Sequence, residues 1–280
     1  MLSESQRWAV TRLKQKVPWP VVKRIQQVRY MMGDRSSLDP EPGWPKILGR
    51  YDRLYFFHVR KTAGTSLISA FMNVRQDISP DQYAFMQQNG WLAHGEYVYV
   101  SHNRFLLERG DYFFGSSHLA LHELDVPANS FKLVILRDPV ARVISHYRML
   151  RHWRVNGHDH PARVEEDAYL GDGFTDFLDR FPPRHLLRQL YMFSEGLSVK
   201  EALENLKSMN FIMMTEGYAD QLETLGALLD LPLRCLPDRA GHDPVTVGAR
   251  ERALLREAVA PEYELLEKVA PFVGTYRRQG

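Results

Sequence analysis

The most constraining feature of this chain is a short run in its first third. LYFFHV (residues 54–59) leads through Arg60 into Lys61-Thr62-Ala63-Gly64-Thr65-Ser66, and SLISAFMNV follows. LYFFHV is apolar and rich in aromatics, which predicts a buried strand. SLISAFMNV is compatible with a helix. A strand that turns sharply into a helix points the N–H groups of the turn, and the positive end of the helix dipole, at one spot. That spot suits an anion. Gly64 lets the backbone come close, Lys61 supplies a point charge, and Thr65 and Ser66 supply hydroxyl donors. The pattern is not the G-x-x-x-x-G-K-[ST] loop of nucleoside triphosphatases, because the lysine opens the turn instead of closing it. An ordinary strand–turn–helix with an incidental lysine stays open at this point.

A second constellation lies about 75 residues further on. FKLVILR (131–137) is the clearest buried strand in the chain, and DPVARVISHYRMLRHW (138–153) has helical period, with Pro139 in a first turn where proline is tolerated. Arg137 ends the strand. Ser145 lies eight residues on, just over two helical turns. An arginine fork and a hydroxyl so placed can meet on one phosphate. GEYVYVS, DYFFGSS and NFIMMTE read as further strands, and VKEALENLKSM, DQLETLGALLDL and ARERALLREAVAPEYELLEKVA as helices. Residues 155–173 read as a polar loop. Strands alternating with helices predict an α/β fold with a mainly parallel central sheet flanked by helices.

These two segments resemble a known family. HVRKTAGTS is similar to the 5′-phosphosulfate-binding loop of carbohydrate-type sulfotransferases, the group that includes heparan sulfate 2-O-sulfotransferases and bacterial relatives, with Arg60 where the family has proline. Arg137, Asp138, Pro139, Arg142, Ser145 and Tyr147 match the R-D-P-x-x-R-x-x-S-x-Y element with which that family holds a 3′-phosphate. FIMMTEGYADQLETLGALL and APEYELL are weaker echoes, so the resemblance covers roughly residues 51–272.

The resemblance implies a P-loop-like fold and a sulfuryl donor, 3′-phosphoadenosine 5′-phosphosulfate. It implies that Lys61, Thr62, Ala63, Gly64, Thr65, Ser66, Arg137 and Ser145 hold that donor. Lys61 stabilises the leaving phosphate, and the acceptor is a hydroxyl of a glycan or glycolipid. No metal is required. A histidine in the segment after the DYFFGSS strand is the general base, a task that suits imidazole. Among eleven histidines, this points to His118, with His122 as the fallback. Arg148, Arg151 and His122 are candidates for the acceptor side, although a solvated basic helix face reads equally well for the arginines. His152, His158 and His160 read as loop residues, since no cysteine or helix-spaced pair supports a metal.

The net charge of +2 conceals segregation. Seven Lys/Arg face one acid, Glu4, in residues 1–30, and six face Asp138 alone in residues 132–154. Residues 1–44 therefore read as a basic helical arm and linker, and 45–280 as a single sulfotransferase domain. The arm could touch a membrane surface or an acidic partner; a solvated helix is the plainer reading. One cysteine, Cys235, excludes an internal disulfide and multi-cysteine metal sites, and fits a reducing compartment. No apolar run approaches the ~18 residues of a membrane span, and the start lacks a secretory apolar core. Animal members of the resembled family carry anchors and lumenal disulfides, so a bacterial-type cytoplasmic enzyme is expected, with no nucleic-acid partner. Two other functions fit less well: a P-loop nucleotide kinase, and a non-catalytic protein of the same fold that binds adenosine bisphosphate or glycan.

Overall fold

A computed structural model describes residues 46–74, 77–157, 163–235 and 246–279. The arm and linker expected over 1–44, and His158 and His160, lie outside the described residues. Six strands form one sheet: β1 (Arg53–Phe57), β2 (Trp91–His94), β3 (Tyr97–Ser101), β4 (Phe114–Ser117), β5 (Ser130–Leu136) and β6 (Phe211–Met214). Their order is β2-β3-β4-β1-β5-β6, and only the β2–β3 pairing is antiparallel. The helices are α1 (Gly64–Met72), α2 (Pro80–Asn89), α3 (Arg104–Arg109), α4 (Pro139–Val155), α5 (Arg163–Glu166), α6 (Phe174–Arg180), α7 (Pro183–Leu186), α8 (Arg188–Tyr191), α9 (Val199–Lys207), α10 (Tyr218–Leu229), α11 (Ala249–Ala258) and α12 (Ala260–Val269).

The strands read as continuous apolar runs because both faces of the sheet are covered. Side chains alternate across a strand, and the alternation sorts them into two cores. Leu54 and Phe56 of β1, Leu133 and Ile135 of β5, and Phe211 and Met213 of β6 pack on one face with Leu67 and Phe71 of α1 and Leu222 and Leu225 of α10. Tyr55 and Phe57, Val134 and Leu136, and Ile212 pack on the other face with Leu107 of α3, Leu206 of α9 and Leu265 of α12. A third cluster joins Val143, Tyr147 and Leu150 of α4 to Phe174 and Phe177 of α6 and Leu255 of α11.

Some elements differ from the sequence reading. The expected polar loop over 155–173 contains helix α5 and a 3-10 turn at Asp167–Tyr169. The C-terminal run expected as helix is two helices, parted at Val259. Pro261 explains the break, since it lacks an N–H and its ring clashes with the preceding turn. β2, α2, α3, α6, α7 and α8 were not anticipated. Among the described residues, no helix is long and apolar enough to cross a membrane.

Candidate functional site

The sheet itself selects the location. β1 lies between β4 and β5, and the chain leaves β4 and crosses to the far side of β1 to make β5. Crevices form at such reversals, outside the carboxyl ends of parallel strands. Three segments meet there: residues 58–66 after β1, His118 after β4 and Arg137 after β5.

The segment after β1 carries backbone strain. Lys61 (φ 69°) and Ala63 (φ 60°) both sit in the left-handed region without being glycine, a conformation that costs roughly 1–3 kcal/mol per residue and concentrates at functional sites. Thr62 between them is fully buried, and its hydroxyl donates to the Val59 carbonyl at 2.9 Å. Among the described residues, no side chain caps α1, whose N-cap is Ala63. The N–H groups of its first turn are thus left to a ligand. Helix α4 contrasts with it: Asp138 accepts from the Ala141 N–H at 2.7 Å, and Pro139 fills the first turn. Of these two helix starts, α1 is the one without a side-chain cap among the described residues.

Gly64 is needed for a reason the sequence did not show. A Cβ at this position would lie 2.0 Å from Nε2 of His58. The His58 ring is itself stacked on Phe56, with centroids 5.1 Å apart. We expect Gly64→Ala to destabilise the fold by about 1–3 kcal/mol, as overpacking does. Urea denaturation tests this, and an unchanged midpoint would refute the packing argument.

Arg137 is tied to the loop and held from behind. Its Nη1 donates to the Lys61 carbonyl at 3.0 Å. Its backbone is gripped by one side chain, since the Arg137 N–H donates to Gln189 Oε1 (2.8 Å) and Gln189 Nε2 donates to the Arg137 carbonyl (3.1 Å). Gln189 is held in turn by Glu262, which accepts from its backbone N–H (2.6 Å) and its Nε2 (3.0 Å). Glu262 also faces Arg142, 3.7 Å away, and both are fully buried. Arg142 of the recognised motif is thus structural: its guanidinium donates to the Leu186 and His185 carbonyls.

The site is short of negative charge. Among the described residues, no carboxylate oxygen lies within 4.0 Å of Lys61 or Arg137. Arg137 Nε is buried without a hydrogen-bond partner among the described residues. Burial first, then the charges of Arg137 and Arg60, push the Lys61 ammonium down to about 8.

His118 faces the same place from β4. Its Nδ1 lies 2.6 Å from the His58 carbonyl oxygen. A carbonyl only accepts, so Nδ1 carries the proton and Nε2 of the neutral ring keeps its lone pair. Burial, then His58, Arg60 and His102, hold the imidazole well below the usual histidine range, which keeps it neutral at pH 7. His58 and His102 pack against it with ring centroids at 4.2 and 5.4 Å. Arg188 was not anticipated: it donates to the His118 carbonyl and lies over the Tyr191 ring.

The other expected residues are distributed differently. Thr65 is exposed and Ser66 half-buried at the start of α1, and Ser145 is half-buried on α4. Arg148 is half-buried on the same helix. Arg151 is exposed, stacks over Tyr147 and lines a cleft of about 340 Å³ with Arg154, Phe174 and Glu251. His122 is exposed on a 3-10 turn, edge-on to Tyr191 at 5.1 Å. Among the described residues, neither Arg151 nor His122 is bonded to Lys61, Arg137 or His118. Within the same limits, no group of three or more His, Cys, Asp or Glu is arranged to hold a metal ion.

Comparison with known proteins adds one positive finding. The model of a family described as "Sulfotransferase family" matches residues 47–235, a span that contains both segments singled out in the sequence, His118 and Gln189. A search of curated proteins gives no match.

Proposed function

The chain belongs to the sulfotransferase family, and from that premise we propose that it moves a sulfuryl group from 3′-phosphoadenosine 5′-phosphosulfate to a hydroxyl of a glycan or glycolipid. The observation that carries this reading is the pair Lys61 and Arg137, joined through the Lys61 carbonyl, with no carboxylate oxygen among the described residues within 4.0 Å of either. A cleft so built fits a polyanionic donor. When bound, the donor supplies an activated sulfuryl group, whose S–O bond to the 5′-phosphate breaks as the acceptor oxygen forms its own.

Each residue then has a physical task. The N–H groups of residues 62–66 and the hydroxyls of Thr65 and Ser66 orient the 5′-phosphosulfate. Thr62 contributes its amide, because its hydroxyl already donates to Val59. Arg137 and Ser145 hold the 3′-phosphate. His118 Nε2 takes the acceptor's hydroxyl proton, and Lys61 offsets the charge left on the 5′-phosphate oxygen. Positioning and fixed charge do most of the work, as in phosphoryl transfer. Arg148, Arg151 and His122 stay as proposed acceptor contacts. The cytoplasm is the proposed compartment, and the basic arm a proposed site of peripheral membrane contact.

Thermal unfolding tests the donor site. Adenosine 3′,5′-bisphosphate in roughly hundredfold excess over its Kd adds about 2.7 kcal/mol of stability and raises Tm by several degrees. Arg137→Ala weakens that ligand by at least about tenfold, through loss of charge-assisted hydrogen bonds. Stabilisation by ATP with Mg²⁺ and none by adenosine bisphosphate would favour a kinase and sink the reading. An acceptor screen with labelled donor then identifies the hydroxyl, and donor binding without turnover on any acceptor would favour the non-catalytic alternative.

A further inference from the structure

Arg60 and Glu166 have no part in the chemistry above, yet they occupy a decisive place. Arg60 Nη1 is paired with Glu166 Oε1. The other oxygen, Oε2, lies 2.7 Å from Nε2 of His146. Glu166 is 4% exposed and His146 1% exposed. Arg60 directly precedes Lys61, and His146 directly follows Ser145. One buried carboxylate on α5 therefore holds the neighbours of two proposed donor-binding residues, on segments that the sequence separates by more than 80 positions.

We infer that Glu166 is a positioning residue: it locks the donor loop to helix α4 through Arg60 and His146, and so sets the spacing between the two halves of the donor site. The inference rests on the sulfotransferase reading for its purpose, and on the geometry alone for its mechanical part. Here the carboxylate does the task of a stiff backbone. The resembled family has proline at the position of Arg60, and proline fixes its own φ. Arg60 has no such constraint, and its side chain is instead anchored from outside the loop. Glu166 is also well chosen electrically. Burial opposes its ionisation, but the His146 hydrogen bond and charge, then Arg60, hold it down to about 2. It stays ionised and pairs with Arg60, whose charge still reaches Lys61. Among the described residues, His185 and Arg142 face the Glu166–His146 side of the cluster, and Lys61, His58, His118 and Arg188 the Arg60 side.

The decisive variant is Glu166→Gln in the full chain. A glutamine keeps the shape but removes the charge, so the ion pair to Arg60 becomes at most a hydrogen bond to a neutral acceptor. By Coulomb's law alone, removing a negative charge near an anion site tightens binding of adenosine 3′,5′-bisphosphate. Loss of positioning does the opposite, and calorimetry is expected to show weakening of about tenfold or more, because misplaced anion contacts lose their alignment. In an Arg60→Ala background the same change is expected to weaken binding less than about twofold, since the two residues act as one unit. Tighter or unchanged binding in E166Q, or equal weakening in both backgrounds, would overturn the inference.

Hydrogen–deuterium exchange of the ligand-free protein gives a readout that does not depend on the donor's identity. Residues 59–66 are expected to exchange faster in E166Q, with β5 unchanged. Equal protection of the loop overturns the proposal even if Tm falls. If E166Q does not fold, Arg60→Ala replaces it, because Glu166 then keeps His146; unchanged loop exchange in R60A is equally fatal. If the parent protein does not bind adenosine bisphosphate, the functional reading fails, and the exchange experiment still decides the mechanical claim.

Discussion

Replacing His118 with alanine is expected to lower the transfer rate by about 10²–10⁴-fold, the contribution of a positioned general base. Binding of adenosine 3′,5′-bisphosphate stays within about twofold, since nothing assigns His118 to the donor. The argument rests on one hydrogen bond. The His58 carbonyl takes the Nδ1 proton at 2.6 Å, so the tautomer is fixed and Nε2 is left as the acceptor. Burial and the neighbouring His58, Arg60 and His102 disfavour the imidazolium. The base is therefore ready at neutral pH, and the acid limb of the rate profile lies well below the ordinary histidine range. The competing histidines differ in kind. His58 is wedged against Gly64, and burial first of all pushes it down to about 3. His122 is exposed on its 3-10 turn beside Tyr191. Steady-state kinetics on H118A and H122A separate the two. Activity retained in the first and lost in the second would transfer the role to His122.

What the sequence revealed, and what it hid, follows from the range of the interactions. The doubly covered strands are legible because burial on both faces writes an unbroken apolar run, as in FKLVILR. The two candidate anion-binding segments stand out in the sequence because each is local, a few residues around one turn. Their supports are not. Gln189 grips Arg137 from 52 positions away, Glu262 holds Gln189 across 73, and Glu166 meets Arg60 across 106. No local period or spacing marks a glutamine or glutamate for such a task. Gly64 shows the limit most clearly. The sequence asks for a glycine so that the backbone can approach an anion, whereas the structure adds a packing demand from an imidazole six residues earlier, folded back onto the helix start. β2 and α2 escaped because their apolar patterning is faint, although Ser79 and Gln82 form a capping box that marks the start of α2.

Replacing Lys61 with alanine is expected to cost about 10²–10⁴-fold in rate, the size expected when a fixed charge opposite a developing one is removed. Unlike His118, it also weakens the donor, because the ammonium faces negative charge before as well as during the reaction. The pH dependence gives the sharper test. Burial, then Arg137 and Arg60, bring this lysine down to about 8. Its useful form is the protonated one, so its contribution is fully present below that value and is lost as pH rises through it. In the free enzyme kcat/KM is thus expected to fall on the basic side from about pH 8. A bound anionic donor favours the charged form, so the corresponding limb in kcat lies higher. Lys61→Arg separates charge from shape: a guanidinium stays protonated throughout, so the basic limb disappears, while its planar fork fits a point-charge site poorly and the plateau stays low. A kcat/KM profile of the parent enzyme measured from pH 6.5 to 9.5 decides the matter. A flat profile, or a basic limb that survives unchanged in K61R, would show that the titrating group is not Lys61.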